Sequence, residues 1–331
     1  MNGDNPVLPH LTVFKELTVF EWLDLQHRLL SEIHQQLLDD PEKGQASRCL
    51  YLAHQIQKVA SENPIGLLAA LQLNRSLKYQ QMKELFVGVL CEMLAKEQGL
   101  ASSARLYLIC AALTQDLGML ELQDNALDRQ ANPLTDSQKR QISKHPLQGM
   151  RLLQRAQVKE TQWLTPLEQH HEQPDGRGYP SGLKGHEITL AAGILRVADG
   201  YVAMVRPRGD RPALLPKDAI KEIFLLRSKQ FDTVSARILA NILGLYPPGC
   251  WVRLYNGEMG VVSGIGNSHP FPVVSVILST EGEHLSKALP RDTHLDPYTV
   301  VEMVKAPFHF SLTSLLNQIW PTVKVEMRKK V

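Results

Sequence analysis

Residues 168–185 read EQHHEQPDGRGYPSGLKG, and this stretch decides how the chain is interpreted. Two prolines and four glycines lie between Gln173 and Gly185. A helix interior does not tolerate that density, because a glycine costs up to about 1 kcal/mol there and a proline about 3 kcal/mol. The stretch is therefore predicted to be a loop that follows the end of a helix, where His170 and His171 stand beside acidic residues.

The two adjacent histidines are candidate metal ligands. Neighbouring side chains on a helix point about 100° apart, so His170 and His171 face one ion only if the backbone bends, or else serve two ions. A helix end supplies that bend. The alternative is a pair of surface or partly buried histidines.

The regions on both sides of the loop show apolar residues at helical spacing. The pattern covers 11–63, several segments between 67 and 113, and then 190–204 and 217–243. From Trp251 onward the sequence changes to short β-branched and aromatic runs separated by turn dipeptides. We therefore expect a mainly α fold with a small β appendage of about three strands. The predicted divisions are an N-terminal helical region in 1–70, a helical core in 71–245 and a β-containing C-terminal extension in 246–331.

The composition excludes several classes of protein. Hydrophobic residues make up 44% of the 331 residues and charged residues 21%, as in globular proteins. The formal charge of +2 provides no global field for long nucleic acids. The longest apolar runs, such as 107–113, are too short to span a bilayer. The start MNGDNPVLPH lacks a secretory signal and no two cysteines form a CxxC pair, so a reducing cytoplasm is expected.

Two aspartates and one further histidine stand out. Asp116 ends an apolar helical run, Asp199 lies within ILRVADGY at 194–201, and His145 precedes a proline between them. A carboxylate among apolar residues costs several kcal/mol unless it is paired or bound to a metal. The alternative for each aspartate is a helix N-cap or a helix-surface acid.

Taken together, these motifs resemble the HD-GYP family, which comprises metal-dependent phosphodiesterases of the bacterial second messenger cyclic di-GMP. The resemblance is carried by HHEQPDGRGYPSGLKGHEI at 170–188, RVADGYVAM at 196–204 and YPPGCWVRLYNGEMGVV at 246–262, and it covers roughly residues 70–300. It implies an HD-type helical bundle. The metal ligands that it implies are Asp116, His145, His170, His171 and Asp199.

Three positions depart from the family pattern. The name-giving His-Asp dyad reads Gln115-Asp116, the lysine expected three residues after the aspartate is Met119, and Lys83 stands near the place of an earlier histidine. One metal position would thus lose two of its four ligands and is expected to hold no metal. The other keeps three histidines and Asp116, which suits one Fe, Mn or Zn ion.

Lys83 has two interpretations. In the first, its ammonium lies between Asp116 and Asp199 and stands in for the missing cation. In the second, Lys83 is an ordinary surface lysine.

Two surface loops have roles implied by the resemblance. Arg208 and Arg211 would contact substrate phosphates, for which arginine forks are suited. Without the resemblance, a solvated turn would be the favoured interpretation of these arginines. The GYP loop would shape the mouth of the site and contact partners such as diguanylate cyclase domains. Its residues are Asp175, Gly176, Gly178, Tyr179 and Pro180.

These departures favour a degenerate family member with impaired catalysis, which binds cyclic di-GMP or another protein. The alternative is an active metal-dependent phosphodiesterase that yields pGpG or GMP with a reduced metal site. A third interpretation is a structural interaction protein with vestigial histidines. Residues 1–70 could sense a ligand, form a homodimer or hold a partner, and the sequence leaves these choices open.

Overall fold

A computed structural model of the chain describes residues 12–43, 46–74, 79–120, 135–206, 212–266, 270–306 and 313–328. The helices are α1 (Val19–Asp39), α2 (Ala46–Glu62), α3 (Pro64–Leu73), α4 (Tyr79–Glu97), α5 (Ser102–Thr114), α6 (Asp136–Ile142), α7 (His145–Arg155), α8 (Thr161–Gln169), α9 (Leu190–Val205), α10 (Pro216–Leu225), α11 (Thr233–Leu243) and α12 (Thr313–Leu316). The strands are β1 (Thr12–Leu17), β2 (Trp251–Leu254), β3 (Met259–Ile265), β4 (Pro272–Leu278), β5 (His284–Asp292), β6 (Val300–Val304) and β7 (Val323–Arg328). The predicted mainly α fold with a small β part is confirmed.

Helix α1 begins with a capping box and buries one face. The Glu21 amide donates to the Thr18 hydroxyl at 3.2 Å, and the Thr18 amide donates to the Glu21 carboxylate at 2.8 Å. The apolar residues then recur every three or four positions, which places them on one face. That face is fully buried and consists of Trp22, Leu23, Leu30, Ile33 and Leu37.

Helix α4 lies in the middle of the bundle. It packs against α1, α2, α3, α5, α9 and α11, and its residues from Gln80 to Glu92 are buried on every side. A helix that is enclosed in this way has no solvent-facing stripe. Lys83 and Glu84 are therefore carried into the interior, where each charge needs compensation.

The C-terminal part contains a five-stranded antiparallel sheet in the order β5-β4-β3-β2-β6. The sequence predicts about three strands here, and these are β2, β3 and β4. Strands β5 and β6 were not predicted from the sequence. Most of their residues are exposed or half-buried, so they lack the continuous apolar runs that identify the central strands.

The two ends of the described chain meet in a two-stranded ribbon. Strand β1 pairs antiparallel with β7, from Thr12 opposite Arg328 to Leu17 opposite Val323. The prediction of helix from residue 11 is wrong for these six residues. Their partner lies some 300 positions away, and a single short strand offers little local signal for pairing.

One hydrophobic core runs through the helices and reaches Trp320 and Val323 near the C-terminus. A second, smaller core lies inside the five-stranded sheet around Val252, Val262 and Val274. Within the described residues, no helix combines the length and apolar character needed to cross a membrane.

Candidate metal centre

Five elements bring titratable side chains to one buried point. Asp116 lies two residues beyond the end of α5, His145 opens α7, and His170 follows α8, and all three are completely buried. Lys83 enters from α4 and Asp199 from α9. The helix end predicted at His170 is the bend that lets this residue and its neighbour His171 approach the same point.

Two of the histidines aim nitrogen lone pairs at each other. The Nδ1 atoms of His145 and His170 each lie 2.6 Å from a backbone carbonyl oxygen, of Ile142 and Leu167 respectively. A carbonyl only accepts, so Nδ1 carries the proton in both rings and Nε2 is left as an acceptor. The two Nε2 atoms nevertheless lie 3.2 Å apart.

The Asp116 carboxylate adds a third acceptor. Its Oδ1 lies 3.6 Å from Nε2 of His145 and, within the described residues, has no hydrogen-bond donor. Four residues each offer one potential metal-ligand atom, and these atoms lie within 4.8 Å of one another. The residues are Asp116, His145, His170 and His171. Converging lone pairs with an orphaned buried oxygen fit a cation, and imidazole with carboxylate suits Fe, Mn or Zn.

The environment keeps these imidazoles neutral. Burial lowers the pKa of His145, and burial with the nearby His145 lowers the pKa of His170 to about 4. Burial together with His170 and His145 places the pKa of His171 well below its usual value. Neutral imidazole is the form that binds a metal, so the Nε2 lone pairs of His145 and His170 are available to a metal near neutral pH.

Lys83 occupies the space between the two aspartates. Its ammonium donates to Oδ2 of Asp116 at 2.6 Å and lies 2.8 Å from Oδ1 of Asp199. The residue is 7% exposed, so it is not a surface lysine. Burial, the largest single influence, would raise the pKa of Asp116, but the Lys83 charge, the His145 and His170 rings and the Lys83 hydrogen bond together outweigh it and hold that pKa below the usual range.

Glu84 lies next to Lys83 in the chain and is also fully buried. Burial, followed by the repulsion of Asp116, raises the pKa of Glu84 well above its usual value. The protonated, neutral form of Glu84 is therefore favoured over its charged form.

Gln115 stands where the family dyad would have its histidine. Its Nε2 donates to Oδ1 of Asp199 at 3.1 Å. The Asp199 carboxylate thus contacts the Lys83 ammonium and accepts a hydrogen bond from Gln115. Asp199 is not one of the four potential metal ligands found among the described residues. Met119 is half-buried in the turn Leu117–Met119 and supplies no charge.

The GYP loop is held by Glu172. This carboxylate accepts from the backbone amides of Ser181, Gly182 and Leu183 at 2.6, 3.1 and 3.0 Å. A Cβ at Gly178 would lie 2.4 Å from the amide nitrogen of Gln173, so only glycine allows this approach. The Tyr179 ring packs on the His171 ring with 4.6 Å between centroids.

Replacing Glu172 with glutamine is expected to loosen this loop. The amide keeps one acceptor oxygen but turns an NH₂ group toward backbone N–H donors, which should cost about 1–3 kcal/mol. Hydrogen exchange at Ser181 and Leu183 would report the change as faster exchange. The matched substitution Glu168→Gln on α8 should leave both rates near those of the wild type, and equal rates in both variants would contradict the assignment.

The remaining predicted residues fall into two groups. Asp175, Gly176, Gly178, Tyr179 and Pro180 lie together in the loop that borders the histidines. Arg208 and Arg211 lie outside the described residues.

Sequence reasoning missed two residues of the site, Glu172 as the loop's anchor and Arg196. The Arg196 Nη1 lies 3.0 Å from Nδ1 of His171. Its position three residues before Asp199 on α9 is the only sequence signal that places it near the site.

Comparisons with known proteins identify the family of the chain and support its fold. The HD domain family matches residues 65–234. The chain is 28% identical over 74% of its length to a cyclic di-GMP phosphodiesterase of Pseudomonas aeruginosa, and 24% identical over 61% to another of Borreliella burgdorferi. It is 26% identical over 59% of its length to a 3'3'-cGAMP-specific phosphodiesterase of Vibrio cholerae, of which it covers 42%.

The chain spans 59% and 53% of the length of the first two relatives. Among solved structures it is similar to Bd1817, a HDG"Y"P protein from Bdellovibrio bacteriovorus, with a TM-score of 0.58 and 17% identity. That similarity covers 68% of this chain and 72% of the other, and it supports the fold. The resemblance to HD-GYP proteins is thereby confirmed, and the chain belongs to the HD domain family.

Proposed function

We propose that this protein is a catalytically impaired HD-GYP member that holds one divalent transition metal and binds cyclic di-GMP in bacterial cytoplasmic signalling. The observation that carries the proposal is the Lys83 ammonium held between Asp116 and Asp199. A tethered ammonium neutralises the two carboxylates as a cation would. It has no open coordination position, so it cannot present a water or a phosphoryl oxygen for reaction.

The remaining ligands support a single metal position. His145, His170 and Asp116 converge on one point, and His171 lies beside them. A metal bound there would polarise a phosphoryl oxygen and lower the pKa of a bound water. The chain's own residues supply the dry surroundings, because Asp116, His145 and His170 are fully buried.

The expected loss of rate follows from the missing electrostatic elements. One preorganised donor or charge at a developing oxyanion is worth about 2.7–4 kcal/mol, or 10²–10³ in rate. Here Gln115 is bound to Asp199 and Met119 carries no charge. Losing two such elements would reduce turnover by several powers of ten, while leaving ligand binding possible.

The choice of ligand rests on the relatives, several of which are named cyclic di-GMP phosphodiesterases. Recognition would fall to Arg208 and Arg211, as the resemblance implies, with Tyr179 at the edge of the histidine cluster. The GYP loop, anchored by Glu172, offers a surface for a protein partner such as a diguanylate cyclase domain. We also propose that the N-terminal helices form a homodimer contact.

The second candidate is an active phosphodiesterase with a reduced site. It is favoured by the four potential metal-ligand atoms that lie within 4.8 Å of one another. Three imidazoles with an open position activate water in other hydrolases, so slow formation of pGpG or GMP is the result that this candidate requires.

The deciding experiment is an anaerobic assay of the purified full chain with Fe(II) or Mn(II), in which bound metal and cyclic di-GMP affinity are measured on the same sample. We expect about one metal per chain, measurable binding and turnover at least about 10³-fold below that of an intact family enzyme. His170→Ala should lose the metal, and the exposed-site control Arg237→Met should keep it. Turnover equal to that of an intact enzyme would favour the second candidate, and neither metal nor ligand binding would refute both.

A further inference from the structure

Arg196 fixes the protonation pattern of His171. A guanidinium has only donors, so the Nδ1 of His171 that lies 3.0 Å from Arg196 Nη1 must accept. The proton of the neutral His171 ring is therefore on Nε2. This is the opposite tautomer to that of His145 and His170, whose Nδ1 atoms donate to backbone carbonyl oxygens.

The position of Arg196 is built by its surroundings. Its Nε donates to the carbonyl oxygen of Gln230 at 3.4 Å, and its guanidinium lies 5.4 Å from the centre of the Phe231 ring. A Cβ at Gly200 would lie only 2.6 Å from the Phe231 ring, so the glycine allows the ring to approach α9. The segment before α11 thus holds Arg196 against His171.

The same segment also holds the GYP loop. The Asp175 amide donates to the carbonyl oxygen of Lys229 at 3.1 Å. Residues 229–231 therefore join the loop to Arg196, and the ring of His171 contacts both Arg196 and the Tyr179 ring. These contacts hold the His171 ring in place without a bound metal.

We propose that Arg196 is a positioning residue that occupies the one lone pair of the His171 ring, removes His171 from the ligand set and leaves its Nε2 as an N–H donor. A neutral imidazole binds a metal through its one nitrogen lone pair, and in His171 that lone pair accepts from Arg196. The ligands that remain are His145, His170 and Asp116, a set of two histidines and one carboxylate that leaves coordination positions open. This inference rests on the proposed single-metal site.

The first test uses the metal-free protein. Long-range ¹H–¹⁵N spectra of the ¹⁵N-histidine-labelled chain distinguish the two neutral tautomers of each ring. We expect His171 with its proton on Nε2, and His145 and His170 with theirs on Nδ1. In Arg196→Met the His171 pattern should change, whereas the exposed-site control Arg237→Met should leave it as in the wild type. A wild-type His171 with its proton on Nδ1 would overturn the proposal.

The second test is Mn(II) or Zn(II) affinity, measured by titration. We expect His171→Ala to bind within about threefold of the wild type and His170→Ala to bind at least about 100-fold more weakly. Arg196→Met frees the lone pair and should bind the metal more tightly than the wild type, a gain that disappears in the double variant Arg196→Met, His171→Ala. A structural role for Arg196 would not produce this dependence on His171.

The two proposals fail in different ways. A wild-type chain that binds no metal would contradict the single-metal function. An affinity loss in folded His171→Ala as large as that in His170→Ala would overturn only the role of Arg196. Circular dichroism of each variant establishes that the comparison is made on folded protein.

Discussion

Replacing Lys83 with methionine is expected to lower the free energy of unfolding by about 3–5 kcal/mol. The substitution keeps the aliphatic stem but removes the ammonium from two buried carboxylates, which lie 2.6 and 2.8 Å from it. Uncompensated buried charges of this kind are among the most costly defects in a folded protein. Urea denaturation followed by circular dichroism, in the presence of a chelator, would measure the loss.

Two controls separate charge balance from a general effect of the substitution. Lys96→Met changes an exposed lysine on the same helix and should stay within about 0.5 kcal/mol of the wild type. The double variant Lys83→Met, Asp199→Asn removes one of the stranded charges and should recover part of the lost stability. An unchanged melting temperature for Lys83→Met would show that Lys83 does not act as the built-in cation.

Restoring the family's ligands is expected to produce the largest gain of function. The variant Lys83→His, Gln115→His places two imidazoles beside Asp116 and Asp199, where the ammonium and the amide now lie. If those replacements are what blocks a second metal, metal content should rise from about one to about two per chain. Cyclic di-GMP turnover should rise at least about 100-fold, the value of one electrostatic element in such sites.

This prediction has its own controls. Adding His170→Ala to the restored background should abolish the gain, because that histidine is a proposed ligand of the first metal position. A further Met119→Lys change tests whether the missing lysine limits the rate after the second metal is bound. A restored chain that binds two metals without faster turnover would show that the impairment lies elsewhere, for instance in substrate recognition.

Much of the fold could be predicted from the sequence, because helical spacing and the density of glycine and proline are local signals. The loop after His171 and the central strands β2 to β4 belong to this class. Strand β1 was missed because its identity depends on β7, far along the chain. Strands β5 and β6 were missed because they are largely exposed and carry no apolar run.

The residues of the candidate site likewise differ in how far the sequence predicts them. The convergence of Asp116, His145 and His170 follows from motifs that can be compared with a family. The contact of Arg196 with His171 and the three amides bound by Glu172 depend on how a loop and a neighbouring segment pack. Such contacts have no fixed spacing in the sequence, so they emerge only from tertiary structure.

The ribbon of β1 and β7 has a consequence for synthesis on the ribosome. Residues 12–17 are synthesised some 300 residues before their hydrogen-bonding partners at 323–328. Trp320 packs on Phe20 with 6.1 Å between ring centroids, so part of the α1 surface is covered only after Trp320 has been synthesised. Contacts this distant in sequence form slowly and leave apolar surface exposed in the meantime. The nascent chain is therefore expected to depend on chaperones until residues 323–328 have emerged from the ribosome.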